Sequence, residues 1–247
     1  MSVDSPEELE GLRRAGALAA RVLREVREAV APGVSTGELD ALAAEIIAAH
    51  GGRSGPIITY GFPGAICISV GDEAVHGIPG PRKVKAGDLV KLDVAVELDG
   101  YFGDTATTVA VEPVRGADER LIATTRAALT RGMAAATAGA RLRDVGEAVE
   151  RITEARGFSV LRELTGHGIG RGLHEPPTIY NYRHDAARAR LHEGLVVTIE
   201  PMIASGTREV LGTGDGWTVV TANGANSAHE EHTIVVTNGS PIVLTAA

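Results

Sequence analysis

Leu89-Val90-Lys91-Leu92-Asp93-Val94-Ala95-Val96-Glu97-Leu98-Asp99-Gly100-Tyr101-Phe102-Gly103-Asp104-Thr105-Ala106 is the stretch on which the reading of this chain turns. Leu89–Glu97 is a strand pattern, and Asp99-Gly100 signals a two-residue hairpin turn, whose central residues need positive φ. Pairing Leu98 with Tyr101 puts Asp104 opposite Ala95 and Asp93 opposite Ala106. Asp93 and Asp104 are then diagonal neighbours on one face, about 7–8 Å apart at the backbone, and their carboxylates can reach one point between them. Ala95, Glu97, Ala106 and Phe102 complete that face. Two carboxylates on a half-buried apolar hairpin repel each other and lose hydration, so a shared proton or a cation must compensate them. The alternative is that both face solvent.

Outward from the hairpin, the order of elements repeats. Ser5-Pro6-Glu7-Glu8 reads as a helix start, and Leu9, Leu12, Ala15, Gly16, Ala19, Leu23, Val26 and Val30 recur at helical spacing up to Pro32-Gly33. A second helix covers about Thr36 to His50, followed by strand patterns around Ile66–Val70, Leu89–Glu97 and Tyr101–Val111. Helices then recur over about Asp118–Ala136 and Arg143–Arg156. Strand-like runs follow at Leu195–Met202, Trp217–Thr221 and His232–Thr237. An offset of 106 places Gly33 on Gly139, Leu39 on Val145, Ile46 on Ile152, Gly51 on Gly157 and Leu89-Val90 on Leu195-Val196. Two similar halves in one α+β domain account for this, and coincidence in an Ala-rich chain is the alternative.

Three further segments carry chemistry. Thr165 to Pro177 holds four glycines around His167 and His174, which excludes a regular helix and suits a site-like loop or strand edge. Thr198-Ile199-Glu200-Pro201 sets an acid in an apolar strand ended by proline, and Glu231 opens another apolar strand. A buried Glu is rare unless paired or coordinated. Asp93, Asp104, Glu200 and Glu231 carry four negative charges, and Lys91 is the one basic residue near these motifs expected to be buried. Two divalent cations would balance the set. Oxygen-rich ligation with one imidazole suits Mn, Fe, Co or Zn rather than a thiolate or calcium site.

Composition removes other classes. Asp plus Glu number 32 against 24 Lys plus Arg, a net charge of −8, which argues against a DNA or RNA phosphate surface and a polybasic membrane patch. Aromatic residues are 3%, too few for a base-stacking platform. One cysteine, Cys67, excludes an intrachain disulfide framework and a multi-cysteine zinc site, and makes the cytosol the expected location. No run approaches the roughly 18 apolar residues of a membrane span. Glu7, Glu8, Glu10, Arg13 and Arg14 leave no signal-peptide stretch.

In combination and order, five pieces resemble the type I methionine aminopeptidases, members of the pita-bread metallohydrolases. They are Val75-His76-Gly77-Ile78-Pro79, Leu92-Asp93 with Gly103-Asp104-Thr105-Ala106, Gly166-His167-Gly168-Ile169-Gly170 with Leu173-His174-Glu175, Thr198-Ile199-Glu200-Pro201, and Glu231-His232-Thr233. The matching stretches run from about Glu7 to Val243. The resemblance implies one catalytic α+β pita-bread domain over residues 1–247, with pseudo-symmetric halves at about 5–113 and 117–243 and helices covering a curved, mainly antiparallel sheet.

By the same resemblance, Asp93, Asp104, His167, Glu200 and Glu231 would bind two divalent metal ions (Co, Mn, Fe or Zn), with Asp104 and Glu231 bridging. Activated water would attack the first peptide carbonyl. Glu200 would carry the proton to the leaving amine. His174 would hydrogen-bond the carbonyl oxygen or the scissile nitrogen, and His76 would contact substrate near the scissile amide. Phe62, Cys67, Leu173 and Trp217 are candidates for a narrow methionine pocket suited to a flexible thioether, with ordinary core packing as their alternative. The implied substrate is the N-terminal Met of nascent polypeptides with a small second residue. Implied too are transient ribosome association, a monomeric state and no DNA or membrane partner.

The chain departs from the family pattern where Gln and an aromatic residue commonly precede Glu-His-Thr: His229 and Glu230 stand there. Two adjacent acids then compete, and the Glu-His-Thr register selects Glu231. Val75 stands where several relatives have Cys. Proline-specific aminopeptidases and dipeptidases of the same fold usually carry a separate N-terminal domain, for which a pattern starting near residue 7 leaves no room. The long insertion of type II enzymes would fall between His174 and Glu200, only 26 positions apart. A catalytically inactive pita-bread binding protein would lose metal ligands, and all five positions are filled.

Overall fold

Ser5 adopts an extended backbone and its hydroxyl accepts from Glu8 N, with Pro6 in the first turn, so α1 (Pro6–Ala29) begins where the sequence signals it. The computed structural model describes residues 1–246. A reciprocal Ser35–Glu38 capping box opens α2 (Thr36–Ala49). After β1 (Arg53–Ser54) comes α3 (Gly55–Tyr60), a single-turn helix that the sequence reading did not anticipate. Ser54 caps it, accepting from Ile57 N, and Gly61 ends it at φ 71°. Then follow β2 (Cys67–Val70), β3 (Glu73–Val75), β4 (Leu89–Leu98) and β5 (Tyr101–Ala110).

The second run starts with α4 (Gly116–Ala135) and α5 (Leu142–Ala155). It continues through β6 (Ser159–Val160), β7 (Thr165–Gly168), β8 (Glu175–Tyr180), β9 (Val196–Ile199) and β10 (Met202–Ala204). It closes with β11 (Val210–Gly212), β12 (Val219–Thr221), β13 (Ser227–His229), β14 (His232–Val235) and β15 (Ile242–Val243). The stretch expected as one strand over Leu195–Met202 is split into β9 and β10 by Glu200-Pro201, because proline has no N–H for a ladder. The two helix pairs are built alike: left-handed glycines stand before α2 and α5 at Gly33 (φ 92°) and Gly139 (φ 87°), and after them at Gly51 (φ 73°) and Gly157 (φ 80°).

Every strand pairing among the described residues is antiparallel. The β4–β5 hairpin has the expected register, with Leu98 on Tyr101, Ala95 on Asp104 and Asp93 on Ala106. Asp99 and Gly100 supply the two positive φ angles of its turn, 51° and 83°. Side-chain alternation then divides labour along β4. Leu92, Val94 and Val96 enter a core with Leu18, Val22 and Val26 of α1 and Leu39 and Ile46 of α2. A second core joins Leu129, Val145, Ile179, Val197, Ile199 and Ile234, so α4 and α5 cover β9 and β14 as α1 and α2 cover β4. The helix-averted faces of the strands are left to line the site.

Hydroxyl groups stitch β5 to the segment 229–233. Thr233 Oγ1 donates to Asp104 O (2.7 Å) and accepts from Asp104 N (3.0 Å). Thr108 Oγ1 does the same with His229 O and N, both at 2.8 Å. Thr105 Oγ1 donates to Glu231 O (2.8 Å), and Glu231 N donates to Ala106 O (3.0 Å). Against the other side of β5 lies α1, and a Cβ on Gly103 would stand 2.8 Å from backbone atoms of Ala15 and Gly16.

Gly103→Ala is therefore expected to push α1 off β5 and to lower the unfolding free energy by about 1–3 kcal/mol, the usual cost of overpacking. Urea unfolding checks this. An unchanged midpoint would mean that the helix is not seated on Gly103.

Candidate metal centre

Five expected ligand residues, drawn from four separate stretches of the chain, face one cavity of about 430 Å³. Asp93 and Asp104 come from the hairpin β4–β5, His167 from β7, Glu200 from the end of β9 and Glu231 from between β13 and β14. Asp104, His167 and Glu231 each present a ligand atom within 4.8 Å of the others. His167 Nε2 stands 3.3 Å from Glu200 Oε1 and 3.9 Å from Asp104 Oδ2. Asp104 Oδ1 and Glu231 Oε1 are buried with no hydrogen-bond partner among the described residues.

The protonation of His167 is fixed by its neighbour. Its Nδ1 lies 2.9 Å from the Gly168 carbonyl, which can only accept, so Nδ1 carries the hydrogen and Nε2 presents a bare lone pair. Burial pushes its pKa down to about 3. A lone pair aimed at carboxylate oxygens is repulsive unless a proton or a cation lies between them. The acids carry the same message. Burial raises Asp93 to about 7 and lifts Asp104, Glu200 and Glu231 well above the usual carboxylate range, with the other acids adding like charge. Among the described residues, no Lys or Arg lines the cavity. Lys91, the nearest base in sequence, is buried with its ammonium turned aside, donating to Gly71 O (2.6 Å) and weakly to Ser227. Orphaned carboxylate oxygens, a bare imidazole nitrogen and no internal counter-charge fit a divalent-metal centre.

Glu230 and Glu231 point opposite ways. Glu230 receives Thr107 Oγ1 (3.0 Å), Thr108 N (3.3 Å) and Arg126 Nε (3.1 Å), so it ties β5 to α4 while Glu231 faces the cavity. Glu200 is set by Thr198 Oγ1, which donates to its Oε1 (2.6 Å), and by buried Asn181, whose Nδ2 donates to the Glu200 carbonyl (3.0 Å).

The remaining expected residues also reach the cavity. His76 adopts φ 56° after β3 and lines the cavity. The next residue must be small, since a Cβ on Gly77 would strike the Ile68 carbonyl. His174 lies 4.1 Å from His167 between ring centres. Phe62 and Trp217 meet edge to face at 5.2 Å, and with Cys67 and Leu173 they form apolar wall. Cys67 pairs directly with Asp93 across β2 and β4, and burial raises its thiol far above the ordinary value. Tyr60, Met202 and His229 line the cavity as well. His229 was visible only as a departure from pattern. Tyr60 and Asn181 left no local signal, because their partners lie far away in sequence.

Asp93 should make the metal-free protein lose part of its stability as pH rises. A carboxyl raised from 3.8 to about 7 in the folded state favours folding while protonated. That contribution is complete below the unfolded pKa and is lost through about 7. Asp93→Asn removes the titration, so the variant should gain on the wild type between about pH 4 and 7, by at most about 1.4 kcal/mol per pH unit. Urea midpoints in chelator across that range test this, and parallel profiles would contradict it.

The model of Metallopeptidase family M24 matches residues 10–238. Methionine aminopeptidase 1 of Bacillus subtilis (strain 168) is 41% identical over 241 residues, covering 98% of this chain and 97% of its own length. The methionine aminopeptidase of Escherichia coli (strain K12) is 41% identical over 247 residues, covering 99% and 94%. The crystal structure of methionine aminopeptidase from Rickettsia prowazekii matches with a TM-score of 0.96 at 38% identity, over 100% of both chains. The expected α+β pita-bread fold is thus shared with solved relatives. No helix among the described residues is long and apolar enough to cross a membrane. With a family match across most of its length and relatives at about two-fifths identity end to end, the chain belongs to metallopeptidase family M24, in its methionine aminopeptidase branch.

Proposed function

We propose that the chain removes the N-terminal methionine of nascent polypeptides whose second residue is small, at a two-metal centre held by Asp93, Asp104, His167, Glu200 and Glu231. The observation that carries this reading is the set of unpartnered, inward-facing carboxylate oxygens around the bare Nε2 of His167, with no basic residue on the cavity wall. Asp104 and Glu231, each with a ligand atom within 4.8 Å of one on His167, would hold the metal together with that imidazole. Bound divalent cations of the Mn, Fe, Co or Zn type supply a water of lowered pKa and Lewis acidity toward a carbonyl oxygen.

The chain's own groups do the rest. Glu200, its pKa raised by burial and its carboxylate steadied by the Thr198 hydroxyl, would take the proton from the attacking water and pass it to the leaving amine. His174 and His76 border the same cavity and offer ring nitrogens to the carbonyl oxygen and the scissile amide as charge develops. Burial lowers the pKa of both rings, so each acts as a neutral imidazole. Phe62, Cys67, Leu173 and Trp217, joined by Met202, enclose an unbranched thioether in apolar surface. The free α-amino group of the substrate would sit at the metal centre, which limits cleavage to the first residue. Nascent chains in the cytosol are the matching substrate pool, met as a monomer at the ribosomal exit.

Release of free methionine from Met-Ala-Ser should stop after exhaustive chelation and return with added Mn, Co, Fe or Zn. His167→Ala and Asp104→Ala should each lower turnover by more than about 100-fold together with metal content per chain. Glu230→Ala should keep its metal and its turnover while losing stability through Arg126, Thr107 and Thr108. Undiminished hydrolysis by metal-stripped protein would refute the mechanism. A dead Glu230→Ala beside an active Glu231→Ala would exchange the roles of the two acids.

A further inference from the structure

Tyr60 is the last residue of α3, half exposed at the cavity rim, and its hydroxyl lies 2.6 Å from His174 Nδ1. The hydroxyl makes no other hydrogen bond among the described residues. The two rings stand 5.4 Å apart at 50°, and on its other side His174 meets His167. The imidazole is therefore held between a phenol and a second imidazole.

We propose that Tyr60 is a positioning residue: its O–H donates to His174 Nδ1 and so keeps the proton of the neutral ring on Nε2, making that nitrogen a donor to the substrate. This deepens the role given to His174 above and rests on it. The direction of the hydrogen bond follows from acid strength. A phenol O–H is a far stronger acid than the N–H of a neutral imidazole, and a bare imidazole nitrogen is a better acceptor than a phenol oxygen. The 2.6 Å separation lies at the short end of the range for an O–H donor.

The contrast with His167 sharpens the point. There Nδ1 meets a carbonyl, which only accepts, and Nε2 is left bare. At His174 Nδ1 meets a hydroxyl that donates, and Nε2 is left protonated. Two adjacent imidazoles thus stand in opposite tautomers, one presenting a lone pair to a cation and the other an N–H to a developing oxyanion.

15N NMR of the zinc-loaded protein, with His174 identified by its absence in His174→Gln, reads the tautomer directly. The wild type should show an unprotonated, hydrogen-bonded Nδ1 and a protonated Nε2. Tyr60→Phe should move both signals toward a tautomer mixture and lower kcat on Met-Ala-Ser about tenfold with KM little changed, the scale of one lost hydrogen bond. A proton on Nδ1 in the wild type, or an unchanged kcat in Tyr60→Phe, overturns the proposal. A fully active His174→Gln would instead remove the catalytic role of His174 while leaving the measured tautomer standing.

Discussion

Four carboxyl groups converge on one small volume, and no lysine or arginine follows them there. Bringing unpaired carboxylates out of water costs several kcal/mol each, and their mutual repulsion adds to it. The protein holds them through their neighbours in the chain. Leu92 and Val94 on either side of Asp93 are fixed in the core under α1 and α2. Val197 and Ile199 before Glu200 are fixed under α4 and α5. Strand alternation turns that apolar grip into acid placement: a side chain between two buried ones has to face the other way. The centre is thus maintained against its own electrostatics by cores that lie behind it.

Side chains of one type do different work because their partners differ. Glu230 and Glu231 are adjacent, yet one answers to Arg126 and two threonines and the other looks into the cavity. Among the histidines, a carbonyl or a hydroxyl at Nδ1 decides what the opposite nitrogen can offer. Lys91 shares the strand face parity of Asp93, but its four-carbon stem carries the charge to the carbonyls of Gly71 and Ser227.

Much of this was legible in the sequence where the information is local. The Asp99-Gly100 turn fixed the hairpin register, Ser5 and Ser35 marked helix starts, and alternation marked the strands that carry the acids. The convergence of distant acids was legible through charge: four lone carboxylates in apolar runs demand a common counter-charge. What escaped was set by tertiary reach. The Tyr60–His174 pair spans 114 positions, and Thr233 reaches Asp104 across 129. The helix at Gly55–Tyr60 rests on a serine cap, yet Ile57, Ile58 and Thr59 are β-branched and read equally well as strand.

The hydroxyl stitching between β5 and residues 229–233 bears on how the molecule assembles. The acids themselves favour misalignment, because any slipped pairing would separate them. A slip of one residue would send Asp104 toward α1 and bring Gly103 to the cavity. It would also leave the main-chain groups of Asp104 and His229 without the threonines that now satisfy them. The alignment that crowds the negative charge is also the one in which these backbone groups are all bonded. Threonine in this seam therefore favours, in the folded state, the one arrangement that electrostatics alone would reject.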